Sequence, residues 1–168
     1  MKQKQGYALS RSAKERISSI VTEIVKKPVS SELIDISIFE HTPYYLKQIA
    51  EEMIRCYDSG HYNATLVLMR KLVETLIIEC FEKYGVDADI KDGAGVFYYL
   101  SDLIPKYLQQ LNGMPSRNIK KSLESVKKYG DLSAHNRRFL AKKSDIDAFQ
   151  FELRQALQEI VLTINYPA

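Results

Sequence analysis

One histidine of this 168-residue chain lies among cations close to the carboxyl-terminal end. His135 follows Lys127 and Lys128 and precedes Arg137 and Arg138. An imidazole group can take a proton from a hydroxyl group near neutral pH and return one to a leaving group. Lysine and arginine can hold a phosphodiester and stabilise the extra negative charge of its transition state. Metal-free cleavage of RNA through the 2′-hydroxyl needs this combination. The structural alternative is a histidine that ends a helix and bonds a backbone carbonyl.

The charge around His135 is strongly one-sided. Nine cations lie between residues 117 and 143, opposed only by Glu124 and Asp131, whereas the whole chain has a formal net charge of only +3. Such a patch favours a partner that carries phosphate groups. Four of its cations are predicted to bind nucleic acid: Lys121, Lys127, Arg137 and Arg138. A solvated helix face followed by a basic loop is the alternative interpretation.

A second group of charged residues lies in an apolar segment. Arg70 and Glu74 are four residues apart among aliphatic neighbours, which predicts a structural polar network with a partner elsewhere in the chain, such as Asp131 for Arg70. Cys56 and Cys80 lie among aliphatic residues too, so we expect buried, unreactive thiols. The three histidines lack the spacing of metal ligands, and the sequence predicts neither a metal nor another cofactor.

Apolar stripes at helical spacing predict the elements that position these side chains. Six helices are expected, over residues 12–25, 42–60, 62–84, 97–111, 117–130 and 144–164. Thr42 and Ser144 are read as N-caps, Pro105 as a kink or break, and Gly130 as the end of the basic helix. The alternating residues 33–39 predict an extended connector, and residues 112–116 predict a turn.

These elements predict an all-α protein, an antiparallel bundle of four or five helices. Residues 1–40 form an N-terminal helical arm with the extended connector, and residues 41–168 form the bundle domain. No apolar run approaches the length that spans a bilayer, and Met1–Gln5 do not resemble a signal peptide. We therefore expect a cytoplasmic protein without a membrane partner.

Two short motifs resemble an uncharacterised branch of the HEPN superfamily, the higher eukaryotes and prokaryotes nucleotide-binding domains. The first is the helix Asn63–Glu74, which carries Arg70 and Glu74 four residues apart. The second is Gly130-Asp131-Leu132-Ser133-Ala134-His135, similar to the Gly-Asn-x-x-Ala-His stretch of that branch but with Asp131 in place of asparagine. The resemblance covers about residues 42–164.

The resemblance implies a helical bundle that dimerises side by side, and many members are metal-independent ribonucleases of toxin, CRISPR-associated and phage-defence systems. It implies His135 as the proton-transfer residue, Lys128 as the phosphate-stabilising cation and Asp131 as its polar neighbour. The family places arginine where this chain has Lys128, which keeps the charge and loses the two-pronged grip on phosphate. Other branches are non-catalytic, so a dimerisation or adaptor module in a defence or toxin–antitoxin assembly is the alternative function.

Overall fold

Helices form nearly all the regular structure of the computed structural model, which describes residues 10–16, 18, 32–110 and 117–167. Residues 11–16 and 18 are helical, whereas the rest of the predicted 12–25 helix and the predicted turn at 112–116 lie outside the described residues. Six α-helices follow: α1 Tyr44–Asp58, α2 Tyr62–Lys83, α3 Leu100–Gln110, α4 Arg117–His135, α5 Lys143–Asp147 and α6 Gln150–Ile164. The only strand-like pairing in these residues is an isolated bridge between Lys91 and Phe97. The all-α prediction is confirmed.

The α1–α2 hairpin forms where the apolar stripes predict it. The turn between the helices is closed by Gly60, whose φ of 78° suits a residue without a side chain. Gly85 ends the second helix in the same left-handed conformation, with φ at 67°. The predicted cap at Thr42 is wrong, because its hydroxyl donates backwards to the carbonyl of Phe39 at 3.0 Å. Pro43 occupies the N-cap position instead.

The prediction of an extended connector at residues 33–39 is also wrong. Ile36–Phe39 form a 3-10 helix whose first turn is capped by the carboxylate of Asp35, which accepts from the Ser37 amide at 2.9 Å. Leu33, Ile34 and Phe39 are buried in the bundle core. The segment is held against α6, because the guanidinium of Arg154 donates to the carbonyl of Leu33 at 2.8 Å.

Three predictions about the carboxyl-terminal half need correction. The third helix continues through Pro105 instead of dividing there. The basic helix does not end at Gly130 but runs one and a half turns further, to His135. The last predicted helix is two elements, α5 and α6, and Ser144 does not cap it. Lys142 is the N-cap, and its amide donates to the carboxylate of Asp145 at 2.8 Å.

The core lies around α2, which packs against α1, α3, α4 and α6. Buried side chains cover most of the circumference of α2, so this helix has almost no polar face. The buried side chains are Leu66, Met69, Leu72, Val73, Leu76, Ile77, Cys80 and Phe81.

Burial raises the pKa of Cys80 to about 11, and desolvation also raises the pKa of the half-buried Cys56. Both thiols are therefore poor nucleophiles, as predicted. Each helix in the described residues is too short or too polar to span a bilayer.

Candidate nucleic-acid interface

His135 lies on the last turn of α4, and its ring is exposed. Asp131 is one turn before it and Lys128 is seven residues before it, so the three side chains share one face of the helix. They line an open groove of about 720 Å³ together with Lys127, Leu132, Asn136 and Arg137. The extension of α4 beyond Gly130 therefore places the predicted imidazole and cations along one wet surface.

Beside this groove, Asp131 is shared between two cations. Its Oδ1 lies 3.0 Å from Nε of Arg70 on α2, and its Oδ2 accepts from Nζ of Lys127 at 2.9 Å. The Arg70 contact is an ion pair whose N–H is not aligned well enough for a hydrogen bond, which leaves that buried Nε without a hydrogen-bond partner. This cluster ties the end of α4 to α2, and the predicted Arg70–Asp131 pairing is found.

Glu74 completes the cluster on its α2 side. Its carboxylate lies 3.6 Å from Nη1 of Arg70, so the guanidinium spans two acids. Desolvation raises the pKa of Glu74, the Arg70 charge opposes that rise, and the Asp131 charge adds to it. Arg70 therefore offsets the cost of placing two carboxylates in a half-buried position. The structure brings together Arg70, Glu74, Asp131 and Lys127, while the exposed His135 stays outside this cluster.

Gly130 allows the close contact between α2 and α4 at this point. A Cβ atom added to Gly130 would lie 2.8 Å from Cβ of Arg70 and 2.9 Å from its Cδ. The alkyl part of Arg70 therefore lies directly against the α4 backbone, one residue before Asp131. Gly130 acts here as a helix-packing residue, which explains why its prediction as a helix end was wrong.

The basic loop that follows α4, residues 136–142, is fixed at three points. The side chain of Asn136 accepts from the Arg138 amide at 3.0 Å, which turns the chain after the helix. Phe139 packs against Tyr129, with ring centroids 6.4 Å apart. The amide of Ala141 donates to the side chain of Asn63 on α2 at 2.7 Å. The loop therefore holds Arg137 and Arg138 on an ordered backbone beside His135.

The predicted nucleic-acid-binding cations divide into two groups. Lys127 is paired with Asp131, and Lys121 lies 3.8 Å from the carboxylate of Glu152 on α6. Within the described residues, no carboxylate lies within 4.0 Å of Lys128, Arg137 or Arg138. Lys128 contacts the ring of Tyr129, with Nζ 5.2 Å from its centroid. The positive charge that is not neutralised is therefore concentrated at the His135 end of α4.

Asp131 of the predicted site and the nearby Tyr129 have structural contacts that the sequence did not indicate. Both oxygens of Asp131 are occupied by Arg70 and Lys127, so its contacts are not with His135. Tyr129, which is interleaved with the cations in sequence, is half-buried and stacks on Phe149, with ring centroids 5.6 Å apart.

In the part of the chain that the structure describes, no three acidic, histidine or cysteine side chains are grouped as around a metal ion.

Asn63 and Asn136 are the residues of this site that sequence reasoning missed. Asn136 directly follows the helix end and bonds a backbone amide two residues on, a local pattern that the sequence could have indicated. Asn63 bonds an amide 78 residues away, and no local signal predicts such a contact. The four-residue spacing of Lys127 and Asp131 predicts a helical ion pair once α4 is known to pass Gly130.

Comparison of the chain with protein-family models, curated proteins and solved structures gave no match.

Proposed function

We propose that this protein acts on RNA as a metal-independent endoribonuclease, with His135 as the proton-transfer residue. The observation that supports the proposal is that His135 is exposed in an open groove beside Lys128 and Arg137, and no carboxylate of the described residues lies within 4.0 Å of either cation. A ring that bonded a backbone carbonyl in a dry interior would favour a scaffold instead.

The proposed reaction uses only groups of the RNA and the protein. One imidazole takes the proton of a ribose 2′-hydroxyl, whose oxygen attacks the neighbouring phosphorus. The bond between phosphorus and the 5′-oxygen breaks, and that oxygen receives a proton from an imidazolium. The products are a 2′,3′-cyclic phosphate and a 5′-hydroxyl. No atom changes its oxidation state, so the proposed reaction uses neither an oxidant nor a metal.

Lys128, Arg137 and Arg138 are the proposed phosphate contacts. The guanidinium groups can each hold two phosphate oxygens, whereas the ammonium group of Lys128 acts as a compact positive charge. Lys128 is two helical turns before His135, about 10 Å along the helix axis, so the two can contact successive parts of one strand. The ordered backbone of the basic loop limits the entropy lost when the arginines bind.

A homodimer would complete the proposed site. The reaction needs one group that accepts a proton and one that donates it, and among the described residues His135 is the histidine that lines this groove. A second copy related by a two-fold axis would supply the other imidazole from its own α4. When His135→Ala is mixed with wild type, dimers that contain one chain of each should therefore be less active than wild-type dimers.

The experiment is digestion of RNA in excess EDTA by wild type and by His135→Ala. We expect wild type to cleave and His135→Ala to lose at least about a hundredfold in rate, the size of a general acid–base contribution. His41→Ala is the matched control, because His41 is also exposed but precedes α1. Intact RNA with wild type, or equal rates in wild type and His135→Ala, would refute the proposal.

The second candidate function is a non-catalytic dimerisation or adaptor module of a defence or toxin–antitoxin assembly. The observation that favours it is that Arg70, Glu74, Asp131 and Lys127 pair with one another and join α2 to α4. In this interpretation the second motif stabilises the bundle. Retained dimerisation together with inactive wild-type protein would support this function over the first.

A further inference from the structure

The last turn of α4 is attached to the bundle through Arg70. The alkyl part of Arg70 lies against Gly130, and its guanidinium lies 3.0 Å from Asp131, the next residue. Both contacts fall one turn before His135. Asp131 pairs with Lys127 of α4 itself and with Arg70, so among the ion pairs of the described residues Arg70 is the one that ties this turn to another helix.

His135 itself has few restraints. Its side chain is exposed, and within the described residues it has neither a hydrogen bond nor an ion pair. The terminal turn of a helix opens readily, because its last carbonyl groups lack helical partners. The direction of the imidazole therefore depends on whether the turn from Asp131 to His135 stays closed.

We infer that Arg70 is a positioning residue that holds the final turn of α4 closed and thereby fixes His135 in the groove. The inference rests on the proposed function for its catalytic meaning. Arg70 acts through Gly130 and Asp131 and does not contact the RNA. An arginine suits this role because its planar fork reaches Asp131 and Glu74 together, whereas a lysine offers one nitrogen atom.

The experiment compares Arg70→Met with wild type. Methionine keeps an alkyl chain over Gly130 and removes both ion pairs. We expect amide hydrogen exchange at residues 132–135 to become about tenfold faster or more, as expected when an anchored helix end begins to open. In RNA cleavage we expect kcat to fall about tenfold with KM within about twofold, because Arg70 orients His135 and does not contact the RNA. Arg70→Lys should give an exchange rate at residues 132–135 and a kcat that lie between those of wild type and Arg70→Met.

Tyr57→Phe is the control for a general loss of stability. It removes the 2.6 Å hydrogen bond that the Tyr57 hydroxyl donates to the carboxylate of Asp147. Asp147 is the last residue of α5, so this bond lies outside the contact between α2 and α4. This variant should lower Tm but leave exchange at residues 132–135 and kcat unchanged.

The exchange measurement decides the inference even if wild type does not cleave RNA, in which case the proposed function fails separately. An amide exchange rate at residues 132–135 that is the same in Arg70→Met as in wild type would overturn the positioning role of Arg70. Asp131→Asn provides a second test should Arg70→Met fail to fold, with faster exchange expected and unchanged exchange again contradicting the inference.

Discussion

Asn63, at the start of α2, accepts a hydrogen bond of 2.7 Å from the backbone amide of Ala141, 78 residues later in the chain. This bond joins the basic loop after α4 to the central helix of the bundle. Ala141 is two residues after Phe139, which packs on Tyr129, so the loop is held by a polar and an aromatic contact in succession. Arg137 and Arg138 are thus displayed from a fixed backbone.

Replacing Asn63 with alanine should lower the free energy of unfolding by about 1 kcal/mol, because the Ala141 amide loses its partner. Asn63→Asp keeps an acceptor oxygen at the same place, close to the helix N-terminus where negative charge is favoured, and should stay near wild type. Urea unfolding measures both values. Equal losses in the two variants would show that the acceptor oxygen is not what stabilises the loop.

Gly130→Ala should destabilise the protein, although alanine is the better helix former. The propensity gain is at most about 1 kcal/mol, whereas the new Cβ would overlap Cβ of Arg70 and force α2 and α4 apart. We expect a net loss of about 1–3 kcal/mol, the usual cost of overpacking. Gly93→Ala is the control, since nothing lies within 4 Å of a Cβ there. A higher unfolding midpoint for Gly130→Ala would contradict the close helix contact.

Arg137→Gln and Arg138→Gln should weaken RNA binding similarly for all sequences and each reduce the slope of log K against log salt by about 1. Binding is measured by fluorescence anisotropy in a His135→Ala background, where the RNA stays intact. Lys121→Gln should change the slope little, because Lys121 is already near Glu152. Should Lys121→Gln weaken binding as much as Arg137→Gln, the interface extends along all of α4.

Asp147 should make stability depend on pH in the acid range. The Tyr57 hydroxyl and then the Lys143 ammonium hold the pKa of Asp147 below its ordinary value of 3.8. A depressed pKa gives stability that is present above the unfolded value and is lost as the pH falls through 3.8 and below. The stability difference between wild type and Asp147→Asn should therefore shrink as the pH is lowered toward 3, in urea unfolding at several pH values. A stability difference between the two proteins that does not change with pH would contradict the depressed pKa of Asp147.

The sequence predicts the helices whose apolar stripes are long and regular. The stripe of α2, its left-handed cap at Gly85 and the pairing of Arg70 with Asp131 could all be predicted from residue types and spacing. A cation inside an apolar helix requires a buried or half-buried acid as its partner, and few acids of the chain lie in segments that can supply one.

The errors at Gly130 and at residues 33–39 share one physical origin, because tertiary packing decided the local structure there. Gly130 is a typical helix terminator, but here it continues the helix because Arg70 occupies the space where a side chain would lie. Alternation at residues 33–39 is typical of a strand, yet Ile36–Phe39 form a 3-10 helix, and the carbonyl of Leu33 accepts a hydrogen bond from Arg154 of α6. The pairing of the cations depends on helix ends and on other helices, because Lys127 pairs with Asp131 only once α4 passes Gly130 and Lys121 lies near Glu152 of α6.

The most direct test is the chemistry of the RNA ends. Wild-type protein is incubated with a defined single-stranded RNA in excess EDTA, and the fragments are identified by mass spectrometry. The account predicts fragments with 2′,3′-cyclic phosphate and 5′-hydroxyl ends from wild type and from His41→Ala, and full-length RNA from His135→Ala. Uncut RNA with wild type, or the same fragments from His135→Ala, would contradict it.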